Sequence, residues 1–71
     1  AAGARELRRA VDALIALSTH RDAHIRGDAA HLLSLTHEPA VQPHLQRLLA
    51  DEVADVREIA REGLERLRAI G

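Results

Sequence analysis

Apolar positions recur at helical spacing along nearly the whole chain. Leu7, Ala10, Val11, Leu14, Ile15 and Leu17 fall on one face of a helix, with Arg5, Arg8, Arg9 and Asp12 on the other. Ser18-Thr19-His20-Arg21-Asp22 interrupts the pattern. Asp22 suits the N-cap of the next helix, because its carboxylate accepts an otherwise unpaired N–H of the first turn. A second stripe runs through Ile25, Ala29, Leu32 and Leu33 and stops at Thr36-His37-Glu38-Pro39. Proline cannot continue a helix there and disfavours α geometry in the residue before it. A short third stripe holds Val41, Leu45, Leu48 and Leu49. Pro43 lies in its first turn, where a missing N–H costs nothing. The fourth stripe is the longest: Val56, Ile59, Ala60, Gly63, Leu64, Leu67 and Ile70. No segment alternates with period two. The spacing predicts four helices, about 4–18, 22–35, 40–50 and 53–70. Short connections make successive helices antiparallel neighbours. The expected core is Leu14, Leu17, Ile25, Ala29, Leu33, Leu45, Leu48, Val56, Ala60, Leu64 and Leu67.

The chain also resembles itself at an offset of 31 residues. Leu14 falls on Leu45, Leu17 on Leu48, Ala23 on Ala54, Ile25-Arg26 on Val56-Arg57, Ala29 on Ala60 and Leu33 on Leu64. A helical hairpin repeated at this period is a solenoid unit, since one amphipathic hairpin cannot bury its face alone and stacks on a copy. The expected organisation is a single domain over 1–71, with repeats over about 4–36 and about 38–70. Ala29 and Ala60 suit close helix approach, and Gly63 does the same at a helix-propensity cost of about 1 kcal/mol.

The stretch Leu45-x-x-Leu48-Leu49-x-Asp51-Glu52-x-x-Asp55-Val56-Arg57-x-x-Ala60-x-x-x-Leu64-x-x-Leu67 resembles a HEAT repeat. It is closest to the short bacterial variety also found in phycobilin lyases. The first half, Leu14-x-x-Leu17 through Ile25-Arg26-x-x-Ala29-x-x-x-Leu33, is similar at fewer positions. The resemblance implies an all-α fold: two stacked helical hairpins in a short right-handed solenoid, the second helix of each lining the concave side. It also implies a non-catalytic role as a protein–protein interaction scaffold. A polar ladder between repeats comes with the family, built from an Asp in the turn and an Arg early in the second helix. Asp51 and Arg57 match that pair, and Arg26 stands in the first half. His20 occupies the place of the first Asp, with Asp22 as the alternative continuation.

Composition narrows the function further. Fourteen Ala and eleven Leu, with no aromatic, Met or Cys, require an aliphatic core. No apolar run approaches the roughly 18 residues that span a bilayer. The opening residues lack a charged region followed by an apolar stretch, so no signal peptide is expected. The chain starts on Ala, and both ends read as helix flanks, as in a domain excised from a longer protein. Zero Cys excludes disulfides, a thiol nucleophile and thiolate metal sites, without fixing the compartment. A formal charge of −1 argues against a general nucleic-acid binder, and the missing aromatics remove stacking platforms for single strands.

The remaining candidates are surface constellations. Asp55, Glu58, Glu62 and Glu65 form an acidic ridge on the last helix, suited to a basic partner segment. His24, Asp28 and His31 share one face of the second helix, either as a solvated flank, as part of the same partner surface, or as imidazole and carboxylate ligands of a metal-binding module. The iron-binding His-Glu pairs of the HEAT-repeat enzyme deoxyhypusine hydroxylase are replaced here by Gly27-Asp28 and Glu58-Ile59, which excludes that activity. Ser18 and Ser34 lie near helix ends, where Ser bonds local backbone, and no Ser-His-Asp set or Gly-rich phosphate loop exists. No cofactor is implied. The leading expectation is a non-enzymatic interaction module that meets a protein partner, with self-association through open end faces as a further route. The alternative is an accessory or regulatory domain of a larger enzyme. Unperturbed imidazole titrates near pH ~6.5, so pH-responsive association is a corollary to test.

Overall fold

A computed structural model describes residues 2–70 of the chain. The described residues form α1 (Ala2–Leu17), α2 (Ala23–Leu35), a 3₁₀ turn (Pro39–Val41), α3 (Gln42–Leu48) and α4 (Ala54–Ile70). The fold is all-α, two stacked helical hairpins, as the periodicity predicts. The side chain of Ile70, expected to close the last stripe, lies outside the described residues.

Local chemistry sets the helix limits. Asp22 is extended and caps α2, its Oδ1 accepting the N–H of His24 at 2.9 Å. At the far end the Thr36 N–H bonds to the carbonyl of Leu33, and His37 takes a left-handed conformation with φ 58°. That conformation ends a helix and is normally given to Gly or Asn. The third helix is tighter than expected at its start. Pro43 has no N–H to reach back to the Pro39 carbonyl, so Val41 and Gln42 close the turn instead, bonding to Glu38 and Pro39 in 3₁₀ fashion. The two inter-helix turns are copies of each other. Thr19 and His20 donate to the carbonyls of Ala16 and Leu17, and Ala50 and Asp51 donate to those of Arg47 and Leu48.

Helices α2 and α4 share the largest interface, followed by α3 with α4 and α1 with α2. The buried aliphatic core is Val11, Ala29, Ala30, Leu33, Val41, Leu45, Leu48, Val56 and Ala60. Leu14, Leu64 and Leu67 are half-buried and pack against it, and Ile25 is half-buried. Leu17 departs from expectation: it is 42% exposed, whereas its repeat equivalent Leu48 is 3% exposed. Both lie at the same place in a hairpin, on the side facing the preceding repeat. Leu48 has such a repeat to pack on in this structure, and Leu17 does not.

Two glycines let α2 and α4 approach. A Cβ at Gly63 would lie 3.0 Å from Ser34 Cβ and 3.5 Å from Leu45 Cδ1. A Cβ at Gly27 would meet Ile59 Cδ1 at 3.0 Å. The neighbours differ in kind. Ser34 Cβ is fixed to the α2 backbone, while Ile59 Cδ1 is the free end of a side chain that can rotate away. Gly27→Ala should therefore stabilise the protein by about 0.5–1 kcal/mol through helix propensity. Gly63→Ala should destabilise it by about 1–2 kcal/mol through overpacking. Thermal unfolding followed by far-ultraviolet circular dichroism checks both signs.

Candidate functional site

The polar side chains sort into those that join the hairpins and those that face solvent. Arg26, early in α2, reaches across to the turn before α4. Its Nε and Nη2 donate to Asp51 Oδ2 and Oδ1 at 2.8 and 3.1 Å, a fork-to-fork pair. Its Nη1 donates to the carbonyls of His20 and Arg21, both at 2.9 Å. The side chains of this pair are only 11% and 8% exposed. Asp51 also accepts the Val53 N–H on Oδ1 at 2.9 Å. The bond from Arg26, with help from Val53 and the charges of Arg26 and Arg57, holds the Asp51 carboxyl below its ordinary range despite partial burial. The Arg26 guanidinium is pushed upward by the same bond.

The pairing runs between repeats, from Arg26 of the first to Asp51 of the second. Asp51 gives its carboxylate to Arg26, and Arg57 reaches only the carbonyl of Asp51, at 2.7 Å. His20 performs the local part of the missing Asp: its Nδ1 accepts the Asp22 N–H at 3.0 Å, as Asp51 accepts that of Val53. Asp22 itself is engaged as the α2 cap.

Two further arginines of the second hairpin end on buried serines of the first. Arg47 Nη2 donates to Ser18 Oγ at 2.8 Å, and Arg66 Nη1 donates to Ser34 Oγ at 2.6 Å. Each hydroxyl in turn donates to its own helix, to the carbonyls of Ile15 and His31. The spacing Glu62–Arg66 permits a surface pair, but Arg66 turns inward to Ser34 instead.

The solvent-facing candidates separate into two groups. Asp55, Glu58, Glu62 and Glu65 are all exposed on α4. Arg61 binds two of them, Glu58 through both carboxylate oxygens and Glu65 at 2.5 Å. One guanidinium thus bridges two of the four carboxylates, and the bond from Arg61 lowers the Glu58 carboxyl. On α2, His24, Asp28 and His31 are also exposed. His24 and Asp28 join Asp55 at the rim of a cleft of about 150 Å³ between the first turns of α2 and α4, with Gly27, Val56 and Ile59 in its lining. His31, Glu62 and Glu65 do not line it. Among the described residues no three His, Asp or Glu side chains gather closely enough to hold a metal ion, so His24, Asp28 and His31 form no centre. A larger open groove of about 400 Å³ runs between α1 and the turn before α3, with Leu7, Val11 and Ile15 along it. α1 has 16 residues and α3 only 7, so Glu38 and Ala40 of the turn before α3, not α3 itself, lie across the groove from Leu7 and Val11.

Two hairpins related by a 31-residue translation, joined by an Arg–Asp bridge, are the decisive geometry. The family model for HEAT repeats matches residues 1–65. The chain belongs to the HEAT-repeat family. No curated protein and no solved structure matches it. HEAT repeats are commonly protein-interaction scaffolds and are generally non-catalytic. Among the described residues of this HEAT module, no helix is long and apolar enough to cross a membrane.

Sequence reasoning did not foresee Arg47–Ser18 or Arg66–Ser34. The available signal was a Ser at an otherwise apolar helix position, matched by Arg in the following repeat. The Arg26–Asp51 bridge generates a pH prediction. The folded-state pKa of Asp51 lies below its unfolded value of 3.8, so its contribution is present above that value and lost as pH falls through the folded pKa. Asp51→Asn should lower the thermal midpoint at neutral pH by about 10 °C or more. It should also flatten the loss of stability between about pH 5 and pH 2. Glu65→Ala, removing an exposed pair, should move the midpoint by less than about 5 °C. Melting curves across that pH range measure all three.

Proposed function

We propose that this HEAT module is a non-catalytic protein-interaction unit whose α2–α4 surface receives a basic segment of a partner protein. The observation that carries the reading is the cleft rimmed by His24, Asp28 and Asp55 and lined by Gly27, Val56 and Ile59. An apolar strip with carboxylates at its edge suits a side chain with an aliphatic stem and a cationic head, which is Lys or Arg. Asp55 and Glu62 on α4 stand at the repeat positions of His24 and His31 on α2, so one aspect of the module carries imidazoles beside carboxylates. Of the seven residues that the sequence nominates for partner binding, His24, Asp28 and Asp55 line the cleft, and His31, Glu58, Glu62 and Glu65 do not. Among the described residues, Asp28, Asp55 and Glu62 offer carboxylates without an arginine bridge, whereas Glu58 and Glu65 are already held by Arg61.

Binding of a fluorescently labelled amphipathic Lys/Arg peptide, followed by anisotropy, tests the reading. Asp28→Arg combined with Asp55→Arg should weaken binding at least about tenfold, and more steeply at low salt. Glu58→Gln should change it less than about twofold, because that carboxylate is already paired. Equal affinity for the parent and the double variant would remove the cleft as the binding surface.

A further inference from the structure

The 31-residue translation exposes a difference between the two ends of the stack. Where the hairpins meet, the second presents Val41, Leu45, Leu48, Val56 and Gly63, all buried. Their equivalents on the first hairpin are Ala10, Leu14, Leu17, Ile25 and Leu32, which make up the α1–α2 end face. That face is apolar and open: Leu17 is 42% and Leu32 46% exposed. The first hairpin contributes Ser18, Arg26, Gly27, Ala30 and Ser34 to the internal interface, again all buried. Their equivalents at the opposite end are Leu49, Arg57, Glu58, Arg61 and Glu65, all exposed. There Arg61 ties Glu58 to Glu65. Stacking a further hairpin on this end would bury three bridged charges where the internal interface has Gly, Ala and Ser. Desolvating them opposes it.

The open face is therefore a continuation of an interface already present in the molecule, but with two changes. Leu32 stands where Gly63 stands, and a Cβ at Gly63 already lies 3.0 Å from Ser34 Cβ. His20 stands where Asp51 accepts Arg26. With Nδ1 accepting the Asp22 N–H, neutral His20 carries its proton on Nε2 and offers a donor, not an anion. A copy of this chain's own hairpin fits neither change: its Ser34 would collide with Leu32, and its Arg26 would face a donor.

We propose that the α1–α2 end face docks a further helical hairpin, stacked ahead of α1 and of complementary rather than identical design. Opposite Leu32 it carries Gly where Ser34 stands here. Opposite His20 it carries a neutral acceptor, such as Gln, where Arg26 stands. The α3–α4 end closes the stack. The same two changes, with the charges at the closed end, keep copies of the module from polymerising head to tail. None of the face residues lines the His24–Asp28–Asp55 cleft, so the proposal stands or falls separately from peptide binding there.

The chain has no Cys, so a single Leu17→Cys substitution reports the face through its thiol-labelling rate. Three proteins carry it: the 71-residue chain, residues 1–40 joined to 10–71, and the same fusion with Arg26→Gln and Ser34→Gly in the added hairpin alone. Labelling should slow at least about tenfold in the third protein relative to the first, and less in the second. The mirror fusion, residues 1–66 joined to 36–71, should leave an Arg61→Cys thiol as reactive as in the unextended chain. Equal labelling of Leu17→Cys in all three folded proteins overturns the proposal. So does a concentration-dependent dimer of the unaltered chain that Leu17→Arg abolishes, which would make a second copy the occupant. Should the fusions fail to fold, Leu17→Arg with Leu32→Arg in the 71-residue chain decides. A docking face in an isolated module leaves the midpoint within about 3 °C, and a larger loss overturns the proposal.

Discussion

The Arg26–Asp51 bridge is the contact on which the arrangement of the hairpins depends. A single guanidinium binds the carboxylate of one inter-helix turn and two carbonyls of the other. It thereby fixes both turns, the first residues of α2 and the start of α4 relative to one another. Four of the five N–H donors of one planar group are used; a Lys ammonium, with three rotatable donors, could not reproduce the fork. A partly buried ion pair gives modest net stability for its desolvation cost, yet leaves one partner uncompensated when the other is removed. Its main effect is registry. A stack slipped by one helical turn would strand both charges.

The packing follows from that registry. With the turns fixed, Gly27 and Gly63 fall in the α2–α4 contact, and Ala29, Ala30 and Ala60 are buried in the hairpins. An aliphatic core of nine buried residues holds little reserve in a chain of this size. The hairpins are accordingly pegged by polar contacts at their edges. Arg47 on Ser18 and Arg66 on Ser34 satisfy hydroxyls of the first hairpin that the stack buries, and each hydroxyl also bonds its own helix. Among the described residues no buried side-chain nitrogen or oxygen is left without a partner. Polar groups in the seam add specificity that an Ala- and Leu-rich interface lacks, because aliphatic surfaces tolerate many registers.

The two ends of the module follow from the same geometry. The bridge has a direction, from an Arg in one repeat to an Asp in the next. At the α3–α4 end the equivalent Arg57 keeps its carbonyl bond, to Asp51. Charged residues with Arg61 at their centre take over that surface. At the other end His20 keeps the turn closed without supplying an anion. HEAT-type stacking is therefore present within the molecule and altered at both of its ends, by different residues.

The sequence by itself determined the elements and their pairing into repeats. Helical period, the Asp22 cap, the break at Pro39 and the place of Pro43 in a first turn are local, and local rules read them. The 31-residue self-similarity then brought in the HEAT fold, and Arg26 and Asp51 were legible as ladder residues from their repeat positions. Tertiary structure alone decided which groups meet. Asp51 pairs backwards to Arg26, not with Arg57; Arg66 leaves Glu62 for a buried hydroxyl; and Arg61 draws two carboxylates out of the acidic ridge. Nothing in a helical wheel distinguishes these alternatives, since each long side chain has several partners within reach and burial selects among them. Leu17 states the same limit for the core. Its stripe position equals that of Leu48, but burial belongs to the neighbour a residue meets, and only the assembled stack says which face has one.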